Sequence, residues 1–185
     1  MNTRNLTVAL CLVAASLLAV PAATAAECPE FLDGEFKRLH SSRTVTLCAE
    51  HAGKPLLVVN TASHCGYTRQ FAGLEALHRQ YGPRGLAVIG FPSDDFNQEA
   101  RDEQKTAEVC YVNYGVTFTM LAPSSVKGPR ANPVFRALAA STQEPGWNFA
   151  KYLVSADGRR VQHFRSSVEP DSPELTRAIE QLLER

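Results

Sequence analysis

The sequence predicts an α/β domain in which helices flank a mixed central sheet. Three observations carry that expectation. First, "KPLLVVNTA" (54–62) and "GLAVIGF" (85–91) are nearly unbroken apolar runs, the pattern of strands buried on both faces. Second, the segment between them, "RQFAGLEALHRQYG", spaces Phe71, Leu74, Leu77 and Tyr81 three to four apart, which predicts an amphipathic helix ending near Gly82. Strand, helix and strand in so short a span make a βαβ unit, and its two strands must pair in parallel. Third, "KYLVSADGRRVQHFRSS" holds two strand-like runs around Asp157-Gly158, a hairpin signal, so the sheet also has antiparallel members.

The remaining elements fit around that frame. "TVTLC" (44–48) reads as an early strand. "EQKTAEVCYVNYG" (103–115) reads as a second helix, "VTFTMLA" as a third buried strand and "NPVFRALAAS" as a short helix. "DSPELTRAIEQLLER" opens with Ser172 as N-cap and Pro173 in the first turn, and Leu175, Ile179, Leu182 and Leu183 form its apolar stripe. The order is βαβ, a helix and a further strand, then a hairpin and a closing helix. That is the layout of a thioredoxin-like fold.

Residues 1–25 read as a secretory signal peptide. Arg4 precedes a short apolar core, and "PAATAA" supplies small residues at cleavage-site spacing. The core is shorter than a spanning helix requires, and no other segment suits a membrane span. The mature chain, 26–185, is expected to be one exported domain, periplasmic or secreted. Without Arg4 it carries 18 Lys+Arg against 19 Asp+Glu, a net charge of −1. A near-neutral chain without a basic cluster has no electrostatic claim on nucleic acid.

Of five cysteines, Cys11 lies in the signal peptide, and Cys28, Cys48, Cys65 and Cys110 remain. Export favours disulfides. Four cysteines allow three pairings, and spacing does not choose among them.

Cys65 sits in "VVNTASHCGYTRQF", where the first apolar run gives way to the first helix. Gly66 permits a sharp turn, and Thr68 is placed to cap the helix. A thiol before a helix meets free N–H groups and the positive end of the dipole, which favour the reactive thiolate. The alternative is an inert cysteine filling a gap in the core. Position 68 is threonine, so there is no C-x-x-C pair for disulfide exchange, and position 69 is arginine, so there is no C-x-x-x-C metal pair. His64 and Cys65, adjacent on an extended segment, point to opposite faces and do not suit one metal. A one-cysteine nucleophile remains, needing hydrogen-bond donors from elsewhere in the chain.

"VVNTASHCGYTRQFAGLEALHRQY" resembles the signature of the glutathione peroxidase family in its cysteine form. "GFPSDDFNQEA", "YGVTFTM" and "WNFAKYLVSADGR" resemble three further blocks of that family, in the same order, so the likeness runs from about Phe36 to Phe164. The resemblance implies that Cys65 is the peroxidatic residue, oxidised to a sulfenic acid by hydrogen peroxide or an organic or lipid hydroperoxide. It implies that Gln98, Trp147 and Asn148 complete the site as uncharged N–H donors. It implies no cofactor and no metal. The sequence departs from the pattern at Arg69, Ser93 and Thr119, and the block holding Gln98 is one residue shorter than the family's.

Thiol-dependent members of the family carry a resolving cysteine in the region of Cys110. By that resemblance Cys110 attacks the Cys65 sulfenic acid, and its helix has to move or unwind to do so. Cys28 and Cys48 are left as a structural disulfide. Only 11 residues separate Phe135 from Trp147, so the oligomerisation loop of the tetrameric members is absent. The chain is therefore expected to be a monomer with an open site, re-reduced by a thioredoxin-like dithiol protein or another thiol. The competing reading is a peroxide sensor or binding module on the same fold; a binding module would be expected to lose part of the Cys65, Gln98, Trp147 and Asn148 set.

Overall fold

The computed structural model describes residues 28–184; the expected signal peptide and its cleavage point lie outside the described residues. Among the described residues, seven strands and five α-helices follow one another. A small hairpin, β1 (Glu35–Lys37) and β2 (Thr44–Thr46), leads into α1 (Leu47–His51). Next come β3 (Leu56–Thr61), α2 (Gln70–Tyr81), β4 (Ala87–Pro92), α3 (Glu103–Ala107) and β5 (Thr119–Met120). The chain closes with α4 (Pro133–Ser141), the hairpin β6 (Lys151–Val154) and β7 (Val161–Phe164), and α5 (Pro173–Leu183).

The main sheet has the order β5-β4-β3-β6-β7. β3 pairs in parallel with β4, and β4 with β5, while β6 runs antiparallel to both β3 and β7. The central position of β3 explains why its sequence is apolar without alternation. Leu57 and Val59 face a core shared with Phe71, Leu74 and Leu77 of α2 and with Leu175 and Ile179 of α5. Leu56 and Val58 face a second core shared with Val134, Phe135 and Leu138 of α4. All six residues of β3 are buried, and so are all six of β4. Gly90 in β4 lies against Met120 of β5 with no room for a Cβ, which is why a glycine interrupts that strand. With helices over both faces of a mixed sheet, the fold is the expected thioredoxin-like α/β sandwich.

Three elements differ from the sequence reading. The strand expected over 44–48 stops at Thr46, and Leu47 opens α1, because Leu47 and His51 one turn apart both bury inward. The third strand shortens to Thr119–Met120, held by two register pairs with β4. The helix expected over 103–115 is α-helical only to Ala107; Glu108–Asn113 continue as a π-helix carrying Cys110. The wider π turns are an uncommon conformation that gathers at functional positions.

Cys28 and Cys48 are joined in a disulfide, with their Cα atoms 5.7 Å apart. It fastens the segment before β1 onto α1, beside the core under α4. It encloses a sequence separation of 20 residues. Replacing both cysteines with serine is expected to lower the unfolding free energy by about 3 kcal/mol in the chain-entropy account, read from urea unfolding with the slope fitted separately for each protein.

Candidate active site

β3 ends at Thr61, and the chain takes a run of tight turns before α2 begins at Gln70. Cys65 stands in those turns. Thr68, expected as a helix cap, does something else. Its hydroxyl donates to the Ala62 carbonyl at 2.8 Å and accepts from the Cys65 N–H at 3.1 Å. It therefore braces the turn that holds the cysteine, while the residue ahead of α2, Arg69, makes no side-chain cap. The Cys65 thiol is 8% exposed, between exposed His64 and Gly66. The Tyr67 amide points at its sulfur, N to Sγ 3.4 Å. The N–H group offered to the sulfur thus comes from a turn two residues on, not from the first turn of the helix.

Gln98 and Asn148 join this loop through hydrogen bonds. The His64 amide donates to the Gln98 carbonyl at 2.9 Å, which seats residue 98 beside the Cys65 turn. Asn148 is fully buried, and its Nδ2 donates to Gln98 Oε1 at 3.0 Å. That bond engages the carbonyl end of the Gln98 side chain and leaves its NH2 as the donor end. Both amides sit next to a residue in the left-handed region: Asn97 has φ 55° and Phe149 φ 64°. For a buried phenylalanine this conformation costs about 1–3 kcal/mol and needs surrounding structure to hold it.

Asn60 supplies that hold. It is a fully buried asparagine inside the apolar run of β3. Its Nδ2 donates to the Trp147 carbonyl at 3.1 Å, and its own carbonyl accepts from Phe149 N–H at 2.7 Å. The two bonds grip the backbone on both sides of Asn148. Trp147 is 42% exposed, its ring 5.2 Å from that of Phe96. With Tyr67 it lines a cavity of about 250 Å³ that also takes in His163, Arg165 and Ser166.

The start of α2 is anchored from behind by Lys151, which is fully buried on β6. Its Nζ donates to Gln70 Oε1 and to the Val168 carbonyl at 2.6 Å, and Gln70 Nε2 donates to the Ser166 carbonyl at 2.8 Å. Burial drives the ammonium down to about 8, with the Glu169 charge opposing the shift. Asn60 and Lys151 were not singled out from the sequence. The available signal was an amide or a charge within a largely apolar run, Asn60 in "LLVVNTA" and Lys151 in "NFAKYLV".

Cys110 is 1% exposed and belongs to the same core cluster as Cys65; both are free thiols. Burial, and then the charge of Glu99, push the Cys110 thiol up to about 12. Beside it Tyr111 and Val112 are turned outward, Val112 being 75% exposed. Among the described residues no group of three His, Cys, Asp or Glu is placed to hold a metal ion, and no helix is long and apolar enough to cross a membrane.

The profile of the glutathione peroxidase family matches residues 35–139. The chain belongs to the glutathione peroxidase family. A glutathione peroxidase of Lactococcus lactis is 40% identical over 149 residues, covering 77% of this chain and 93% of the relative. The glutathione peroxidase-like peroxiredoxin gpx1 of Schizosaccharomyces pombe is 42% identical, covering 64% of this chain and 79% of its own. The hydroperoxy fatty acid reductase gpx1 of Synechocystis is 40% identical, covering 71% and 83%. Among solved structures, the apo crystal structure of Trgpx superposes with a TM-score of 0.65 at 26% identity, over 88% of this chain and 98% of that one. The structure of MTB dsbF, at 20% identity and a TM-score of 0.59 over 84% and 99%, shares the fold. The chain is accordingly a thiol peroxidase on a thioredoxin-like fold.

Unfolding returns Cys110 to its ordinary value of 9.0 from about 12. The unfolded chain then ionises first, so the stability from the buried neutral thiol is complete below pH 9.0 and is lost as pH rises toward about 12. Cys110→Ala removes this titration. The difference in unfolding free energy between wild type and variant is expected to narrow across that interval, with the tyrosines cancelling in the comparison; a constant difference contradicts the shift.

Proposed function

We propose that this member of the family is an exported, cysteine-based peroxidase. In this reading Cys65 is the peroxidatic residue, Gln98, Trp147 and Asn148 are its partners, and Cys110 is the resolving thiol. The observation that carries the reading is the hydrogen-bonded chain from the Cys65 turn through Gln98 to Asn148. It ties the loops that carry Gln98 and Asn148 to the turn that carries Cys65.

The chemistry follows from those groups. The Cys65 thiolate attacks one peroxide oxygen, the O–O bond breaks, and the departing oxygen takes a proton. Cys65 is left as sulfenic acid, two electrons more oxidised. The amides and the Trp147 indole are neutral, so they can donate to a thiolate and to a leaving alkoxide without a charge that would bind an anion permanently. The half-exposed Trp147 leaves the site open at one side, which suits bulky hydroperoxides as well as hydrogen peroxide. The name of the Synechocystis relative supports fatty-acid hydroperoxides among the substrates.

Cys110 then attacks the sulfenic sulfur, giving a disulfide and water. Its place in a π-helical segment supports this role, because the next hydrogen-bonding register lies close to the one it occupies. A thioredoxin-like dithiol protein, or a small thiol, reopens the disulfide. The chain acts as a monomer outside the cytoplasm, where the Cys28–Cys48 bond persists.

Cys65→Ser is expected to abolish peroxide consumption, while Cys110→Ser consumes one equivalent and then stalls, as followed by peroxide assay and thiol mapping. Full steady-state turnover of Cys110→Ser with a dithiol reductant contradicts the resolving role. Trp147→Phe keeps an aromatic ring but removes the N–H donor. It is expected to slow oxidation of Cys65 by about tenfold or more, in line with the loss of one hydrogen bond in the transition state, with thermal stability unchanged; an unaltered rate reduces Trp147 to packing.

A further inference from the structure

Glu99 is a buried carboxyl that the mechanism above does not use. It is 7% exposed and lies on the loop after β4, next to Gln98. One oxygen, Oε1, is crowded with donors: the Ser63 hydroxyl, the Ala100 amide at 2.7 Å and the Thr106 hydroxyl at 2.9 Å. Ser63 belongs to the Cys65 loop and Thr106 to α3, so one oxygen atom joins the loops of both cysteines. The other oxygen, Oε2, is buried with no partner among the described residues. A buried carboxylate oxygen left empty is costly, and such an atom in a folded protein asks for a role.

The helical segment that Glu99 holds through Thr106 carries a candidate, the Cys110 thiol. Thr106 and Cys110 are four residues apart on the same helical segment, hence on one face, and each is 1% exposed. The Cys110 thiol feels the Glu99 charge directly. The other groups on Glu99 are uncharged, Ser63 from the β3 loop and Thr106 from α3, while the Asp94 carboxylate accepts only the Glu99 backbone amide at 3.1 Å.

We propose that Glu99 is the proton acceptor for Cys110 in the disulfide-forming step. The assignment rests on the resolving role of Cys110 given above. A thiol is a poor nucleophile until it loses its proton, and this one lies in a dry core. The Cys110 S–H bond breaks and its proton passes to Glu99 Oε2. The sulfur's electron pair attacks the Cys65 sulfur, and the S–O bond of the sulfenic acid breaks. The departing hydroxide takes the proton from Glu99 as water. Cys110 is oxidised, the Cys65 sulfur is reduced, and the carboxylate is regenerated. Burial raises the Glu99 carboxyl above its usual range, which strengthens it as a base, and its charge keeps Cys110 protonated until the attack. Carboxyl and thiol together hold one negative charge and exchange one proton.

The test is rapid mixing of reduced protein with one equivalent of hydrogen peroxide, trapping sulfenic acid and Cys65–Cys110 disulfide separately. Glu99→Gln keeps the size and an acceptor for Ser63 and Thr106 but takes up no proton. It is expected to form sulfenic acid at the wild-type rate and disulfide about a hundredfold more slowly, the lower range for a lost general base. Wild-type disulfide formation in Glu99→Gln overturns the assignment alone. Absence of any Cys65–Cys110 disulfide in wild type overturns the resolving role, and this assignment with it. Should Glu99→Gln fail to fold, the wild-type pH profile decides. An unassisted thiol near pKa 12 gains thiolate about tenfold per pH unit through the neutral range, whereas an internal carboxylate makes the rate level off once it is ionised. A tenfold rise per unit with no plateau overturns the proposal.

Discussion

The grip of Asn60 on the turn between Trp147 and Phe149 is the interaction on which the rest of the site depends. One side chain and one carbonyl of β3 hold the backbone on either side of Asn148. The same strand, five residues later, delivers Cys65. Residues far apart in sequence are thus referred to a single rigid element, and the left-handed Phe149 is kept in place by its own N–H bond to Asn60 and by the Asn60 bond to Trp147. Burying an amide in the middle of an apolar strand is costly unless the amide finds partners. Here its Nδ2 does, and the bond it makes sets the position of the donors.

The opposite side of the Cys65 loop is fixed by charge rather than by an amide. Lys151 sits beneath the first residue of α2 and satisfies its ammonium with carbonyl groups from α2 and from the loop after β7. No carboxylate is bonded to it. An ammonium held by carbonyl dipoles retains partners when its proton is lost more readily than an ion pair does, and burial has already weakened its hold on that proton. Asn60 and Lys151 together frame the turn without touching the reactive sulfur. This leaves the thiol's own contacts, the Tyr67 amide above all, free to respond to its oxidation state.

The two free cysteines have opposite settings within one core. Cys65 lies in a braced turn between exposed neighbours, where a peroxide can reach it. Cys110 is sealed in a π-helical segment whose next residues, Tyr111 and Val112, are turned to solvent. The two thiols are therefore held by separate local structures, which the buried Glu99 carboxyl joins through Ser63 and Thr106.

Much of the fold was legible in the sequence because burial on two faces writes a plain pattern: unbroken apolar runs for β3 and β4, helical spacing for α2 and α5, and Asp157-Gly158 for the last hairpin. The cysteine after β3 was legible as a candidate nucleophile only through the blocks that resemble the family, since its position alone suits an inert core cysteine as well. The end of β2, the short β5 and the π turns around Cys110 were not legible. Those are decided by which side chains find room against neighbours distant in the chain, as when Leu47 turns inward and begins a helix. The same holds for Asn60, Glu99 and Lys151. Asn60 and Lys151 are polar residues within apolar runs and Glu99 is one of many polar residues in its loop, and the partners of all three come from elsewhere in the chain. Sequence alone determined the apolar runs from which the sheet is built and, through the family resemblance, the candidate thiol and the type of chemistry. The tertiary structure decided which polar groups brace the loop of that thiol, because hydrogen bonds between loops depend on positions in space that no local pattern records.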